Sequence, residues 1–472
     1  MELPPDFISR TKLLLGDEYA LLEKALQEEP PVSIRINPAK QIALHDGYAQ
    51  VGWCETGYYL PDRPSFTFDP LFHAGCYYVQ EASSMFLEQV VRQHISTPVV
   101  CLDLCAAPGG KSTHLASVLP VNSLLVSNEV IQSRADVLKE NLFKWGFPNT
   151  VVTCNDPHQI GQLTHLFDVI VADLPCSGEG MFRKDRKSRN EWSVDNVRLC
   201  AARQRRIIQD VWDSLKPRGL FIYSTCTFNR EENEENIRYI VEHLGAEVLP
   251  VFIRDEWKIS PAIKESFPLY RFYPYRVKGE GFCLALLRKP DGVRQTIQNQ
   301  GSTFNDRDVP YASAQAEVES SRFNVQGSTF NAQSSLSFLR SLSDADSFHF
   351  EFNQQIIRAI PISYQYTCRL LSRHLRVLSA GVFVGEIKGK DIVPSPALAL
   401  STCFRNEAFP SVELTLEESI KYLQKEILVL PEHSPTGYVV VKYKNIPLGF
   451  VKNIGNRANN LYPKEWRIRR RP

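Results

Sequence analysis

Short apolar segments rich in β-branched residues alternate with amphipathic segments between residues 99 and 289. Five of the apolar segments are VVCLD, LLVSN, VVTC, DVIVAD and LFIYST, and helical patterning follows each one. Strands that alternate with helices are typical of parallel sheets, because two parallel neighbours need a crossover connection between them. The sequence therefore predicts an α/β fold with a doubly wound, mostly parallel sheet of the Rossmann type.

Two of the intervening segments carry an apolar stripe with helical spacing. The first stripe recurs at steps of four and three and consists of Ile131, Ala135, Leu138, Leu142 and Trp145. The second consists of Val197, Ala201, Ile208, Val211 and Leu215, and the following Pro217 and Gly219 predict the end of its helix. We interpret both stripes as faces that pack on the core.

Composition indicates a globular protein from a reducing compartment. Hydrophobic residues make up 43% of the 472 residues, and the eleven cysteines include no CxxC pair. The start of the chain does not resemble a secretion signal, and no apolar run reaches the roughly 18 residues of a membrane span. We therefore expect a cytoplasmic, monomeric protein that binds neither a membrane nor a metal. Because the net charge is only +1, any nucleic-acid surface must be local.

The patterning divides the chain into five predicted regions. Residues 1–93 form a small α+β module, residues 94–290 the α/β domain, and residues 347–412 and 413–472 two C-terminal α+β domains. Between them, residues 291–346 are polar, contain QGSTFN twice and are predicted to be a spacer. In the last region Thr415 and Glu418 have the spacing of a capping box, GYVVVKY and NIPLGFVKN predict a hairpin, and the chain ends in the basic KEWRIRRRP.

The strongest local motif is CLDLCAAPGGKSTH, which follows the first predicted strand. A tight turn at a helix N-terminus favours a carboxylate or a phosphate. Gly110, Lys111 and Ser112 match the end of a P-loop, and Asp173 resembles its Walker B acid, but Cys105 and Pro108 do not fit that loop. The alternative ligand is S-adenosylmethionine, with acids near the ends of the next strands.

Two cysteines follow later strands of the predicted sheet. In VIVADLPCSGEG, Asp173 and Cys176 come at the carboxyl end of the apolar strand, and Cys226 lies at the end of FIYSTC. Taken singly, either cysteine is typical of a small buried residue, but the carboxyl ends of parallel strands meet where ligands bind. Two thiols beside an acid and a cofactor-type turn suit alkylation of a pyrimidine at carbon 5, in which a thiolate first adds to carbon 6.

These motifs resemble the Sun-type RNA cytosine-5 methyltransferase family, and within it the bacterial RsmF-like rRNA enzymes. The central region carries the resemblance in DLCAAPGGK, DLPCSGEGMFRKD and YSTCTFNREENE. The N-terminal region carries it in SIRIN and HAGCYYVQEASSM, and the C-terminal region carries it in LGFVKNIGNRANNLYPKEWR. The resemblance implies a Rossmann-like core, an RNA-binding N-terminal module and a C-terminal PUA-like RNA-binding domain. It also implies formation of 5-methylcytosine in rRNA or in a ribosomal subunit.

The resemblance further implies a role for individual residues. Cys226 is the nucleophile, Cys176 assists release of the product, and Asp173 contacts both the cofactor and the target base. The loop that holds the methionine part of S-adenosylmethionine consists of Cys105, Ala106, Ala107, Pro108, Gly109, Gly110 and Lys111. Glu129 is similar to the ribose-binding acid, and Asp156 to the residue on the adenine side.

RNA contact by a nearly neutral protein requires a local basic surface. The candidate phosphate-binding residues next to the second cysteine motif are Arg183, Lys184, Lys187, Arg203 and Arg206. Phe182 is a candidate for stacking on an extruded base. Two other functions remain open at this point, an RNA-associated P-loop NTPase and a ribosome-assembly factor without catalytic activity.

Overall fold

The computed structural model describes residues 3–40, 42, 47–291, 338, 340–353, 355–389 and 391–470. Both QGSTFN copies, and most of the predicted spacer 291–346, lie outside these described residues. Within the described ranges, no helix has the length and apolar character of a membrane span.

Helices and strands alternate through the central region, and shorter elements flank it on both sides. The helices are α1 Pro5–Leu15, α2 Tyr19–Ala25, α3 Pro70–His73, α4 Leu87–His94, α5 Gly110–Val118, α6 Gln132–Trp145, α7 Pro157–Gly161, α8 Arg186–Glu191, α9 Val194–Trp212, α10 Glu234–Leu244, α11 Gln365–His374, α12 Pro396–Leu400 and α13 Leu416–Leu423. The strands are β1 Val32–Ile36, β2 Ala49–Gln50, β3 Gly57–Leu60, β4 Tyr77–Val79, β5 Val100–Asp103, β6 Leu124–Asn128, β7 Thr150–Thr153, β8 Phe167–Asp173, β9 Leu215–Thr225, β10 Glu247–Leu249, β11 Tyr270–Phe272, β12 Phe282–Arg288, β13 Phe348–Asn353, β14 Ile356–Pro361, β15 Val377–Ala380, β16 Val382–Lys388, β17 Asp391–Pro394, β18 Ser411–Glu413, β19 Gly437–Tyr443, β20 Ile446–Asn453 and β21 Ala458–Asn460.

The central sheet has the order β10-β12-β9-β8-β5-β6-β7-β15, and β11 pairs with β12. Strands β5 to β9 are parallel to one another, whereas β12 runs antiparallel to β9 and β15 runs antiparallel to β7. After β5 the chain winds outward to β6 and β7, and then returns to the other side of β5 for β8 and β9. This reversal creates a topological switch point between β5 and β8, where a ligand crevice is expected. The predicted doubly wound fold is confirmed.

The two helical stripes lie on the core as the periodicity predicts. In α6 the buried residues include Ala135, Leu138, Leu142 and Trp145, whereas Ile131 is the half-exposed N-cap. Helix α9 ends at Trp212, before the predicted stop at Pro217. The reason is that Leu215 already belongs to β9 and pairs with Phe167 of β8.

Three smaller antiparallel or mixed sheets surround the central one. Their strand orders are β2-β3-β1-β4 in the N-terminal region, β13-β14-β16-β17 in the next, and β18-β19-β20-β21 in the last. The predicted capping box of Thr415 and Glu418 begins α13, and the predicted hairpin is β19 and β20. The sequence did not predict that β15 leaves the C-terminal region to pair with β7 at the edge of the central sheet.

Candidate active site

The turn after β5 is built from small residues that bring its backbone close to α6. Gly109, the N-cap of α5, has a φ of +116°, and a Cβ there would lie 3.3 Å from Leu138 Cδ1. Ser112 Oγ donates a hydrogen bond of 2.6 Å to Asp103 Oδ2 across the turn. Burial raises the pKa of Asp103 to about 7. Since the helix begins at Gly110, the amide groups of its first turn carry a partial positive charge at the edge of the sheet where β5 ends.

An ion pair connects this turn with the end of β8. Lys111 Nζ lies 2.8 Å from Asp173 Oδ2, and Ser224 Oγ donates a hydrogen bond of 2.8 Å to Asp173 Oδ1. Lys111 Nζ also lies over the ring of Phe282, 5.2 Å from its centroid. Burial alone would lower the pKa of Lys111, but the attraction of Asp173 outweighs it and raises that pKa. Asp173 is therefore held by one donor on each carboxylate oxygen.

The two predicted thiols meet at the carboxyl ends of adjacent strands. Cys176 Sγ lies 3.1 Å from Cys226 Sγ, and the Cys226 N–H donates to Cys176 Sγ at 3.4 Å. Both cysteines are free and partly exposed. The hydrogen bond with Cys226, together with burial, raises the pKa of Cys176 well above its usual range. Cys176 therefore keeps its proton, and this proton can stabilise negative charge on Cys226.

A buried carboxylate holds the backbone next to Cys176. Glu232 accepts hydrogen bonds from the Ser177 N–H at 3.0 Å and from Gln204 Nε2 at 2.8 Å. Gln204 Nε2 also donates to the Pro175 carbonyl at 2.9 Å, so both sides of Cys176 are fixed. Burial raises the pKa of Glu232 to about 7. Sequence reasoning missed the roles of Glu232, Gln204 and Ser224. Ser224 and Glu232 lie within the YSTCTFNREENE motif and Gln204 lies outside it, but their contacts with Asp173 and with the backbone around Cys176 depend on the fold.

The two predicted acids near the cofactor turn differ in their surroundings. Glu129 is 3% exposed, accepts the N–H of Ile131 at 3.0 Å and lies 3.3 Å from Arg134 Nη2. Asp156 is exposed, caps α7 and accepts the His158 N–H at 2.9 Å. The structure thus places both acids near the carboxyl ends of β6 and β7, on the same edge as the turn.

The N-terminal region reaches the turn through a buried arginine. Arg35 is fully buried and donates 2.8 Å to Gln80 Oε1 and 2.6 Å to Thr113 Oγ1 of α5. A third bond of 3.3 Å reaches the Gly110 carbonyl, and the guanidinium carbon lies 4.5 Å from the ring centroid of Trp145. SIRIN and the segment around Gln80 therefore support the first turn of α5, a role that the sequence alone did not indicate.

A buried group next to α5 has side chains of metal-ligating types, namely Cys54, Glu88 and His114. Cys54 Sγ donates to Glu88 Oε2 at 3.0 Å, and His114 Nε2 lies 3.0 Å from the same oxygen. The other oxygen accepts 2.8 Å from Arg92 Nε. Burial raises the pKa of Glu88, but hydrogen bonds from His114, Cys54 and Arg92 outweigh it and lower that pKa to about 2. We interpret the group as a hydrogen-bonded triad, since each member already has a partner.

Several predicted RNA contacts are engaged elsewhere. The side chain of Arg183 is 4% exposed, and its Nε lies 3.1 Å from Glu280 Oε2 while its Nη2 donates 2.8 Å to the Gly279 carbonyl. Lys184 Nζ lies 3.5 Å from Glu280 Oε1, but this residue is exposed and stays accessible. The prediction for Phe182 is wrong, because this ring is 1% exposed and packs edge-on against Phe7.

The remaining predicted basic residues stay accessible. Lys187 is exposed and lies 3.5 Å from Glu191, and Arg203 and Arg206 are exposed on α9. In the C-terminal tail, Trp466 packs near Phe143, and Arg467, Arg469 and Arg470 are exposed.

Comparison with known proteins agrees with this arrangement. The family described as 16S rRNA methyltransferase RsmB/F matches residues 94–288, the N-terminal domain of 16S rRNA methyltransferase RsmF matches residues 3–82, and the methyltransferase RsmF PUA domain matches residues 409–468. The chain is 30% identical to ribosomal RNA small subunit methyltransferase F of Aliivibrio fischeri strain MJ11, over 98% of this chain and 97% of that protein. The chain belongs to the RsmF family of rRNA methyltransferases. This membership removes the P-loop NTPase alternative.

Other members and solved structures extend the likeness. The family member from Escherichia coli O9:H4 is 29% identical over 92% of this chain and 89% of its own length. A crystal structure of a methyltransferase homologue from Pyrococcus horikoshii is 28% identical, covers 60% of this chain and 93% of its own, and has a TM-score of 0.52. The structure of NSun6 from the same organism, at 21% identity and a TM-score of 0.52 over 61% and 99% of the two chains, supports the fold.

Proposed function

We propose that this RsmF-family enzyme uses S-adenosylmethionine to form 5-methylcytosine in 16S rRNA through a covalent bond to Cys226. The observation that carries the proposal is the pair of thiols, whose sulfur atoms lie 3.1 Å apart at the carboxyl ends of β8 and β9. They share the edge of the sheet with Asp173 and with the turn at the start of α5.

The residues around the turn fit the methionine end of S-adenosylmethionine. The helix N-terminus suits a carboxylate, and the proposed loop runs from Cys105 to Lys111. Asp103 Oδ1 is buried and has no partner among the described residues, which leaves an acceptor for an ammonium group. Glu129 would hold the ribose and Asp156 would lie on the adenine side. When bound, S-adenosylmethionine supplies an electrophilic methyl carbon.

Cys226 makes carbon 5 of cytosine reactive. Its thiolate forms a bond to carbon 6, and the electrons of the carbon 5–carbon 6 double bond move onto carbon 5. Once carbon 5 carries the methyl group, a solvent water takes the proton from carbon 5, the electrons of that C–H bond form the double bond again, and the electrons of the bond between sulfur and carbon 6 return to the sulfur. The thiolate of Cys226 is thereby restored.

Cys176 and Asp173 support the two ends of this cycle. The raised pKa of Cys176 keeps a proton within reach of the Cys226 sulfur, so this proton stabilises the leaving thiolate and assists release of the product. Asp173 is fixed by Lys111 and Ser224 and faces the crevice with a side chain that is 34% exposed. We assign it to hold the target base, a role worth about 10²- to 10⁴-fold in rate if it also moves a proton.

The names of the family and its members refer to 16S rRNA and to the small ribosomal subunit, and these names support 16S rRNA as the proposed substrate. A base within structured RNA must be turned out of its stack before a thiol can reach it. We propose that the N-terminal module and the C-terminal PUA domain bind the rRNA while the crevice holds the extruded cytosine.

The test uses single cysteine variants, labelled S-adenosylmethionine and a 16S rRNA transcript. Cys226→Ala should abolish methyl transfer, whereas Cys176→Ala should accumulate a protein–RNA adduct that survives a denaturing gel. Cys403→Ala, at a partly exposed cysteine outside the crevice, is the control and should retain activity. Full activity of Cys226→Ala, together with absence of an adduct for Cys176→Ala, would refute the mechanism. Wild-type protein that binds cofactor and rRNA without transferring a methyl group would indicate an inactive assembly factor instead.

A further inference from the structure

Helix α11 presents two chemically different faces. Its inner face packs into the cluster that contains Ile160 of α7, through the buried Cys368 and Leu371, and the flanking Tyr364 and Leu375 belong to the same cluster. Its outer face carries Tyr366, Arg369 and Arg373, which follow at steps of three and four and are all exposed. Tyr366 is 65% exposed, a large fraction for an aromatic ring on a packed helix. The inner face therefore fixes the helix while the outer face is free to contact another molecule.

The end of α11 is attached to the edge of the proposed crevice. Arg376 follows the helix, and its carbonyl accepts 3.0 Å from the Cys154 N–H. Its own N–H donates 3.1 Å to Asn155 Oδ1. Val377 then pairs with Thr153, the last residue of β7, as β15 joins the central sheet. The C-terminal end of α11 is thus attached to the carboxyl edge of the sheet, through contacts with Thr153, Cys154 and Asn155, which directly precede Asp156.

The outer face is uniformly basic. Helix α11 has the sequence QYTCRLLSRH, which contains no acid. Among the ion pairs of the described residues, none involves Arg369, Arg373 or Arg376. Unpaired arginines next to an exposed aromatic ring match the chemistry of a nucleic-acid strand, in which phosphates alternate with stacking bases.

We propose that Tyr366, Arg369, Arg373 and Arg376 form an RNA-binding surface that guides the strand next to the target base along α11. The inference rests on the proposed function, since it supplies the path by which rRNA enters the crevice. Arg369 and Arg373 bind phosphates, Tyr366 stacks on a base, and Arg376 contacts the strand at the edge of the sheet. This surface takes the role in phosphate binding that the sequence predicted for Arg183, whose side chain is covered and paired with Glu280.

The test measures binding of a 16S rRNA transcript over a range of salt concentrations. Arg369→Gln/Arg373→Gln should lower the slope of log K against log salt by about 1.4 to 1.8, because each phosphate contact contributes about 0.7 to 0.9. If the two proteins bind equally at about 1 M salt, this difference in slope makes the variant bind about 15- to 30-fold more weakly at about 0.15 M salt. Lys258→Gln/Lys264→Gln is the control, because it removes the same charge from exposed residues near the opposite edge of the sheet. This control should bind like the wild type.

A second pair of variants tests the ring. Tyr366→Ala should weaken binding about 5- to 150-fold, the range of a lost stacking contact, whereas Tyr366→Phe should bind normally. Urea unfolding of each variant checks that the helix remains packed. Equal salt slopes for the arginine double variant and its control would overturn the proposal. Normal binding to the transcript with loss of methylation only on assembled subunits would also overturn it, because the surface would then contact a ribosomal protein.

These binding measurements do not depend on catalysis. If wild-type protein binds the transcript with the expected salt slope but forms no 5-methylcytosine, the proposed function fails while the surface on α11 stands.

Discussion

Ser224 offers a precise test of how the crevice positions its acid. The side chain is 1% exposed at the end of β9, and its Oγ donates 2.8 Å to Asp173 Oδ1. Lys111 holds the other oxygen at the same distance of 2.8 Å. Ser224→Ala removes one of the two donors without changing any charge. The carboxylate of Asp173 is then free to rotate about the remaining bond to Lys111.

The expected effect follows from the strength of a hydrogen bond to a charged group, which is about 1.5 to 3 kcal/mol. Asp173 is 34% exposed, so water replaces part of the lost bond and the lower end of the range applies. A loss of about 1.5 kcal/mol in transition-state stabilisation corresponds to a rate about 10-fold lower.

Single-turnover transfer of a labelled methyl group to 16S rRNA, with enzyme in excess and saturating S-adenosylmethionine, measures this rate. The matched control is Ser127→Ala, because Ser127 is also a fully buried strand serine but its Oγ has no partner among the described residues. The control should keep the wild-type rate. Equal rates for the two variants would show that Asp173 needs no second donor, and the reasoning about its position would be wrong.

Three further changes test the turn and its supports. Gly109→Ala should lower S-adenosylmethionine affinity in calorimetric titration and reduce the free energy of unfolding by about 1–2 kcal/mol, because φ is +116° and a Cβ meets Leu138. The control is Gly455→Ala, at a φ of +98° with open space around it, which should leave the affinity unchanged. Arg35→Ala should reduce the free energy of urea unfolding by about 3 kcal/mol through three lost hydrogen bonds, and unchanged stability would contradict its supporting role. Burial raises the pKa of Asp103 to about 7, so between about pH 4 and pH 7 the folded state holds more protons than the unfolded state and stability falls as pH rises. Asp103→Asn should remove up to about 4 kcal/mol of this pH dependence of stability. Urea-unfolding profiles that stay parallel for the two proteins across that pH range would contradict the expectation.

The meeting of the two thiols could be predicted because it depends on local patterns and one topological rule. Short apolar strands ending in Asp173 and in Thr225 identify neighbours in a parallel sheet, and carboxyl ends of such strands share one edge. Cys176 and Cys226 follow these ends, so their proximity could be predicted without knowing any contact between distant parts of the chain. Which sulfur attacks is not determined by that geometry and rests on the family resemblance.

The basic residues after Cys176 show where sequence reasoning fails. A run of charges suggests a solvated or phosphate-binding surface, but the fate of each charge depends on partners far away in the chain. Arg183 is neutralised by Glu280 and Phe182 packs on Phe7, and neither partner lies near the motif. The face of α11 was missed for the opposite reason, because its residues lie outside any motif and gain a function only from the pairing of β15 with β7.

The cofactor turn is supported from both ends of the chain, which explains why its motif alone is not a complete site. Arg35 of the N-terminal region binds the first turn of α5, while Leu378 of β15 packs against the cluster that contains Ala106 and Ala107. Neither support belongs to residues 94–290. An isolated 94–290 segment would expose the edge of β7 and lose the hydrogen bonds of Arg35, so we expect it to bind S-adenosylmethionine more weakly than the full chain. Both flanking regions are also proposed to bind RNA. An RNA strand that holds these regions against the central domain would stabilise the cofactor turn between residues 105 and 111. We therefore expect rRNA and cofactor to bind with positive cooperativity.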